Sequence, residues 1–336
     1  MRLIRIAMML AFALALLVST AGAQSISEYK VTRRIELGGE GGWDYLTFDA
    51  SARRLYVTRA TRVMVVDVDG GKLVGEIPGT PGVHGVALVS ALDRGVTSNG
   101  RDDSATIFDL KTLQTIATVK TGGKPDSILF DKPSGDVLTF DGRTNDVTII
   151  DPKKAAAIGN IVLPGRPETG VSDGRGKIFV NLEDKNQIAV IDLESRKVLT
   201  TWPLEGCDGP TGLSMDVINR RLFSGCHSGV LVVVDADSGK NIQKLPIGQK
   251  VDATAFDSGT QLIFTSNGEG TISIIKQDSP NSYRNLQSVT TLPGAKTMAL
   301  DPTRHTIYTV ANLAAGKSSD KPDAVPMDFG VLVIEP

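Results

Sequence analysis

The chain has 336 residues, of which 41% are hydrophobic and 22% charged, with 36 basic side chains against 38 acidic ones. This length and composition can supply a large apolar core, and they exclude a disordered or collagen-like chain. The formal net charge of −2 offers no basic surface of the kind that binds duplex DNA.

The N-terminal segment has the features of a secretory signal peptide. Arg2 and Arg5 precede an apolar stretch from Ile6 to Val18, and Ala21-Gly22-Ala23 follows as a small-residue cleavage site. The apolar stretch is too short to span a bilayer as a helix. We therefore expect residues 1–23 to be a signal peptide cleaved after Ala23. The mature protein is then predicted to be periplasmic or secreted, without a membrane span.

A strand-like segment that ends in aspartate recurs along the rest of the chain. Successive aspartates are 41 to 43 residues apart, Lys276 continues the series 41 residues later, and Glu335 ends it after a further 59 residues. Each unit can hold four short strands separated by turns rich in Gly, Asn and Asp. The aspartates of the series are Asp67, Asp109, Asp151, Asp192 and Asp235.

Four-stranded units of this length are typical of propeller blades. One blade cannot bury both faces of its sheet, but seven blades around an axis can. We therefore predict an all-β fold, a seven-bladed β-propeller of four-stranded blades that forms a single domain over residues 24–336.

The two ends of the chain predict how this ring closes. The apolar segment from Tyr29 to Leu37 precedes the first complete unit, and the strand at Val331–Ile334 ends a unit that lacks its outer strand. An N-terminal strand that completes the last blade would satisfy this open edge; the alternative is a flexible leader. The last unit also carries an insertion at about 312–330, which is either a lid over the channel or a mobile loop.

Several segments of these units resemble the YVTN-repeat, YncE-like propeller family. They include Leu55-Tyr56-Val57-Thr58, Thr97-Ser98-Asn99-Gly100 and the segment from Val251 to Asp257. The resemblance covers essentially the whole mature chain and implies an exported propeller, but it does not define an activity. One member of that family is described as a periplasmic single-stranded DNA binder. Related propellers include streptogramin lyases, gluconolactonases and quinoprotein-like enzymes.

The loops before the innermost (A) strands and those between the second (B) and third (C) strands share one face of a propeller. By this register, one residue of each unit falls at the mouth of the central channel: Asp44, His84, Asp126, Glu168, Thr211, Asp252 and Lys296. Four of the seven are carboxylates, and crowded like charges favour a bound cation. We predict a divalent cation, Ca²⁺ or Mg²⁺, held by Asp44, Asp126, Glu168 and Asp252. The alternative is that these residues are solvated strand caps.

The candidate catalytic residues are His84 and Lys296. His84 is chosen because its imidazole titrates near neutral pH and can transfer protons. The alternative for each is an ordinary loop residue. The predicted ligand-binding set adds side chains from the loops of the same face: Trp43, Asp44, Asn99, Arg101, Asp141, Arg143, Asn181, Glu183, His227 and Asn267.

The two cysteines, Cys207 and Cys226, fall in two loops of one unit that lie on the same face. In an oxidising compartment this favours a disulfide. A metal-binding or reactive-thiol role is the alternative.

Three functions fit these observations. The first is a monomeric binding or scaffold propeller that presents its loop face and channel to a small molecule or a protein. The second is an enzyme, a metal-assisted lactonase, hydrolase or lyase with its site at the channel mouth. The third, single-stranded DNA binding, needs a positive groove and stacking aromatics. This acidic chain offers only Trp43 near the mouth, so we rank nucleic acid as the least favoured partner.

Overall fold

A computed structural model describes residues 28–314 and 328–336, and these form seven four-stranded antiparallel sheets. The predicted signal peptide lies outside the described residues, as does most of the predicted insertion. Within the described ranges, no helix is long and apolar enough to cross a bilayer.

The strands are numbered in chain order, and each blade is named by its position along the chain. Blade 1 comprises β2 (Trp43–Asp49), β3 (Arg54–Arg59), β4 (Arg62–Asp67) and β5 (Lys72–Pro78). Blade 2 comprises β6 (Val83–Val89), β7 (Arg94–Asn99), β8 (Ser104–Asp109) and β9 (Thr115–Lys120). Blade 3 comprises β10 (Pro125–Asp131), β11 (Asp136–Asp141), β12 (Asp146–Asp151) and β13 (Ala156–Val162).

Blade 4 comprises β14 (Pro167–Ser172), β15 (Lys177–Leu182), β16 (Gln187–Asp192) and β17 (Lys197–Pro203). Blade 5 comprises β18 (Pro210–Asp216), β19 (Arg221–Cys226), β20 (Val230–Asp235) and β21 (Asn241–Pro246). Blade 6 comprises β22 (Val251–Asp257), β23 (Leu262–Asn267), β24 (Thr271–Ser279) and β25 (Ser282–Thr290). Blade 7 comprises β26 (Met298–Asp301), β27 (Thr306–Asn312), β28 (Phe329–Glu335) and β1 (Lys30–Glu36). Two short 3-10 helices accompany these strands in the described ranges, at Ser90–Leu92 and Glu183–Lys185.

The hydrophobic core lies between neighbouring blades. The two middle strands of a blade are buried on both faces, which suits their runs of β-branched residues. In the core between blades 3 and 4, Phe140 and Ile149 of one sheet pack with Val180 and Ile191 of the next. Each sheet therefore depends on its neighbours for burial, as the repeat predicted.

The N-terminal strand completes the last blade, and the predicted closure of the ring is confirmed. β1 runs antiparallel to β28, with Val31 opposite Ile334 and Ile35 opposite Val331. Arg59 of blade 1 reinforces this junction, because its buried guanidinium lies 3.7 Å from the centre of the Phe329 ring. The same guanidinium donates hydrogen bonds to carbonyl oxygens of the segment that leads into blade 1.

A break in strand pairing recurs at the start of the A strands. In blade 1, Trp43 pairs with Arg59 and Leu46 pairs with Val57, so Asp44 and Tyr45 lie opposite Thr58 alone. The Thr58 hydroxyl accepts a hydrogen bond from the Asp44 N–H (3.2 Å) and donates one to the Tyr45 carbonyl (3.1 Å). The same shift occurs in blades 2 to 6. Such irregularities re-aim side chains, and here they fall at the first residues of the strands that line the channel.

Candidate functional site at the channel mouth

The predicted mouth residues occupy one equivalent position in all seven blades. In six blades this is the second residue of the A strand, and in blade 7 it lies two residues before β26: Asp44, His84, Asp126, Glu168, Thr211, Asp252 and Lys296. Hydrogen bonds between neighbouring A strands hold their main chain in place. Ser127 donates to the Glu168 carbonyl (2.9 Å), Thr211 to the Val251 carbonyl (2.7 Å) and Thr297 to the Asp44 carbonyl (2.6 Å).

Five of these side chains form a chain of alternating charge across five consecutive blades. His84 Nδ1 lies 2.6 Å from Asp44 Oδ2 and 3.5 Å from Asp126 Oδ1. On the other side, Lys296 Nζ lies 3.6 Å from Asp44 Oδ1 and 2.5 Å from Asp252 Oδ2. Asp44 is therefore flanked by the two basic groups, and a carboxylate lies at each end of the chain. All the pairs join different blades.

Burial and neighbouring charge act against each other in this chain. Burial would lower the pKa of His84, but its hydrogen bond to Asp44 and the nearby carboxylates outweigh that effect and raise the pKa. Burial likewise opposes the charge on Lys296, yet Asp252 and Asp44 raise its pKa. Burial raises the pKa of Asp126 and of Asp252, although His84 and Lys296 respectively counteract it. The basic groups thus stabilise the carboxylates in a partly dehydrated site.

The remaining carboxyl group of the mouth, Glu168, lies outside this chain. Burial, followed by the charges of Asp126 and Glu183, raises the pKa of Glu168 to about 10. Its surroundings therefore favour the neutral carboxyl over the carboxylate. Its neighbour Glu183 pairs with Arg166 at 2.6 Å and lies 3.8 Å from His227 Nδ1.

Tyr45 lies across the channel below these residues. Its hydroxyl is 3.4 Å from the Thr169 hydroxyl of blade 4. Burial raises its pKa well above 10, and Glu168 and Asp126 add to the effect. Tyr45 was not among the residues predicted from the sequence. A signal was present, since the other six blades carry a small residue at the equivalent position: Gly85, Ser127, Thr169, Gly212, Ala253 and Thr297.

Three of the mouth residues could together hold a metal ion. Ligand atoms of Asp44, His84 and Asp126 lie within 4.8 Å of one another, and this is the one such group of three in the described ranges. It shares Asp44 and Asp126 with the predicted carboxylate set but contains His84 in place of Glu168 and Asp252. An imidazole with two carboxylates suits a transition metal better than the Ca²⁺ or Mg²⁺ that the sequence suggested.

Four members of the predicted ligand-binding set are fully buried. Asn99 and Asn267 each accept a hydrogen bond from a threonine two residues earlier and donate to two hydroxyls of the next strand. Asp141 takes the equivalent place in blade 3 and bonds Thr139 (2.9 Å) and Thr148 (2.6 Å). Burial raises the pKa of Asp141 to about 7 even though both hydroxyls counteract it.

The fourth buried member, Asn181, connects two blades. Its side-chain amide donates to the carbonyls of Thr211 and Gly212, both at 3.1 Å, and its oxygen accepts a hydrogen bond from Ser224 at 3.0 Å. It therefore fixes the start of β18, at the break in strand pairing. These four side chains support the mouth from below.

The other members of the set lie at the surface of this face. Arg143 forms an ion pair with Asp103, and His227 is 45% exposed beside Glu183. Trp43, Asp44, His84 and Arg101 line a single pocket of about 420 Å³ at the mouth, between blades 1 and 2. Of the residues predicted for this face, these four are the ones that the structure brings together around open space.

The predicted disulfide is present. Cys207 and Cys226 are bonded, with their Cα atoms 5.5 Å apart, and the described ranges contain no free cysteine. The bridge ties the loop before β18 to the last residue of β19. It therefore stabilises the mouth face of blade 5.

Several solved structures are similar to this chain in fold at low sequence identity. No family model matches the chain, and no curated protein matches it either. A structure of the mitotic checkpoint complex matches with a TM-score of 0.76 and 13% identity over 98% of this chain and 99% of that one. A structure of RRP9 WD40 repeats matches with a TM-score of 0.75 and 10% identity over 90% of this chain and 97% of that one.

A third similar structure is Kuenenia stuttgartiensis hydrazine synthase, with a TM-score of 0.73 and 14% identity over 81% of this chain and 94% of the matched chain. At these identities the similarity extends to the fold alone. The chain is a seven-bladed β-propeller with WD40-repeat structural neighbours.

Proposed function

We propose that this protein is an exported, YncE-like binding propeller whose ligand occupies the mouth of the central channel. The observation that carries the proposal is the chain of charges from Asp126 to Asp252. Its members pair with one another across blades, and two of them, Asp44 and His84, line a pocket of about 420 Å³. Pockets of this size, bordered by a few convergent polar groups, are typical of small-molecule sites.

The depth of the site favours a small ligand over a protein partner. Asp44 and Asp126 are each 17% exposed, and Tyr45 spans the channel beneath them. A folded protein surface reaches such a recess only with a projecting side chain. A small molecule in the mouth pocket can contact Asp44 and His84 together.

A thermal-shift screen of small polar compounds tests this proposal in wild-type protein and two lysine variants. Lys296→Met removes the ammonium group that lies 2.5 Å from Asp252 at the mouth. Lys111→Met is the matched control, because its ammonium lies 2.6 Å from Asp93, away from the mouth. We expect compounds that stabilise wild type and Lys111→Met but not Lys296→Met. Stabilisation that is equal in all three proteins would contradict the proposal.

The Asp44–His84 pair supports a second candidate function, acid–base catalysis at the same mouth. The 2.6 Å contact holds Nδ1 against the carboxylate, which leaves Nε2 as the nitrogen that can exchange a proton with a substrate. A lactone and aryl-ester hydrolysis screen tests this. Turnover that His84→Gln abolishes and His227→Gln preserves is the expected result for an enzyme. Turnover unaffected by His84→Gln would exclude this role.

Export and a monomeric state complete the proposal. The disulfide supports an oxidising compartment. Fractionation of an expressing bacterium, followed by N-terminal sequencing, should find the protein outside the cytoplasm and beginning at Gln24. Light scattering should give the mass of one chain. Cytoplasmic protein that retains residues 1–23 would contradict export.

A further inference from the structure

Glycines, among them Gly82 and Gly100, form part of the lining of the mouth pocket between blades 1 and 2. A Cβ atom at Gly100 would lie 2.7 Å from His84 Nε2, and one at Gly82 would lie 2.8 Å from Arg101 Cβ. Any larger residue at Gly100 would therefore displace the His84 imidazole. The absence of side chains at these two positions thus lets His84 and Arg101 border the same space.

Arg101 is the unpaired charge of this pocket. Its guanidinium forms no ion pair and no hydrogen bond with any described residue, and the side chain is exposed. Arg143 occupies the equivalent place in blade 3, two residues after the end of the B strand, and it pairs with Asp103. Another arginine, Arg166, also has an acidic partner, because it pairs with Glu183. Arg101 therefore differs from its structural equivalent in having a free guanidinium.

The carboxylate in the pocket is already neutralised. Asp44 directs one oxygen towards His84 and the other towards Lys296. An incoming cation would have to compete with both basic groups for Asp44. An incoming anion would meet Arg101 with all five of its N–H donors free, and guanidinium binds carboxylates through two parallel hydrogen bonds.

The indole of Trp43 supplies the apolar part of the pocket. It is partly buried, packs against the Phe329 ring at 5.2 Å and donates a hydrogen bond from Nε1 to the Gly294 carbonyl (3.2 Å). These contacts fix the orientation of the ring. A rigid aromatic surface beside a free guanidinium is suited to a flat organic acid.

We propose that this pocket binds a small planar carboxylate, with Arg101 holding the carboxylate, Trp43 the apolar body and His84 Nε2 a polar substituent. This inference rests on the proposed function, because it names the class of ligand that the mouth takes. It assigns the ligand a negative charge, which the acidic composition of the chain does not suggest.

The test uses Trp43 as the reporter in a Trp202→Phe background, which leaves one tryptophan in the chain. Three probes of similar size and different charge are titrated: benzoate, benzamide and benzylamine. We expect benzoate to change the fluorescence saturably and to bind at least about tenfold more tightly than the other two, as for a charge-assisted pair. Arg101→Gln should weaken benzoate binding about tenfold, and Arg101→Lys should restore part of it.

Arg284→Gln is the matched control, because this exposed arginine pairs with Asp278 away from the mouth, and it should leave the benzoate affinity within about twofold of the parent protein. Benzoate binding that is unaffected by Arg101→Gln would overturn the inference. Preferential binding of benzylamine would also overturn it but would leave the mouth as a binding site. If none of the three probes changes the Trp43 signal saturably, this inference fails. In that case the lysine-variant screen still decides the proposed function independently.

Discussion

Aspartates lie at both ends of the strands that line the channel, and the two sets are used differently. At the end away from the mouth, each aspartate accepts hydrogen bonds from backbone N–H groups of its own turn. Most of them also bond to the following blade, as Asp257 does to His305 at 2.6 Å. The members of this set are Asp49, Asp131, Asp173, Asp216, Asp257 and Asp301.

The mouth carboxylates have no such support from the backbone. Among the described residues, the side chains of Asp44, Asp126 and Asp252 form ion pairs only with His84 and Lys296. Burial raises the pKa of Asp126, whereas for Asp301 Arg53 and two backbone N–H groups outweigh burial and lower the pKa. A carboxylate surrounded by its own turn stabilises the fold. One that faces a channel without those donors remains free to interact with a ligand.

The largest effect should follow from removing a carboxylate at the end away from the mouth. Asp301→Ala leaves Arg53 Nη1 and two turn N–H groups without their acceptor, and we expect a loss of about 3 kcal/mol in unfolding free energy. Asp126→Ala at the mouth should change it by less than about 1 kcal/mol. Urea unfolding at neutral pH measures both. Similar losses in the two variants would contradict the distinction between the two ends.

A second large effect concerns the covalent tie on the mouth face. Replacing both Cys207 and Cys226 by alanine should lower the unfolding free energy by about 3 kcal/mol, because the bridge closes a loop with a sequence separation of 19. Thiol titration of the unreduced parent protein is the control and should find no free thiol. Two free thiols, or an unchanged stability in the double variant, would show that this face does not depend on the bridge.

An intermediate effect is expected at Asp141, the buried carboxyl below the mouth. Its pKa of about 7 lies above that of an unfolded carboxyl, so the folded protein loses stability as the pH rises from about 4 to about 7. Asp141→Asn removes this loss. The stability of the variant relative to wild type should therefore increase by about 2 kcal/mol between pH 5 and pH 8.

The converse substitution at the equivalent position of blade 2 sharpens this test. Asn99→Asp places a carboxyl among Thr97, Ser104 and Thr106, and it should introduce the pH dependence that Asp141→Asn removes. Urea unfolding at the two pH values measures both variants. A pH-independent difference from wild type in either one would show that its buried carboxyl does not titrate in this range.

The smallest effect is expected at Tyr45. Its hydroxyl has a single partner at 3.4 Å, so Tyr45→Phe should change the unfolding free energy by less than about 0.5 kcal/mol. Thermal or urea unfolding of this variant is the measurement. A loss above about 2 kcal/mol would mean that the hydroxyl is needed by the fold and is not free to contact a ligand.

The repeat in the sequence was sufficient to predict the fold. Blade number and strand order follow from the spacing, and the same spacing was the basis for assigning Asp44 and Lys296 to the mouth. Side-chain direction depends on the break in strand pairing and on packing between blades, which the spacing does not contain. For that reason Asn99 and Asn181 were expected at the surface but are buried, and Tyr45 was missed.

The most direct test of the account is a crystal structure of the protein with the compound that binds it most tightly. The account predicts that this ligand lies at the mouth, above Tyr45 and in contact with His84 and Arg101. The other end of the channel offers a pocket of about 450 Å³ with an apolar lining that includes Phe130 and Phe256. A ligand seated there, with the mouth residues unchanged, would contradict the assignment of the mouth as the functional site.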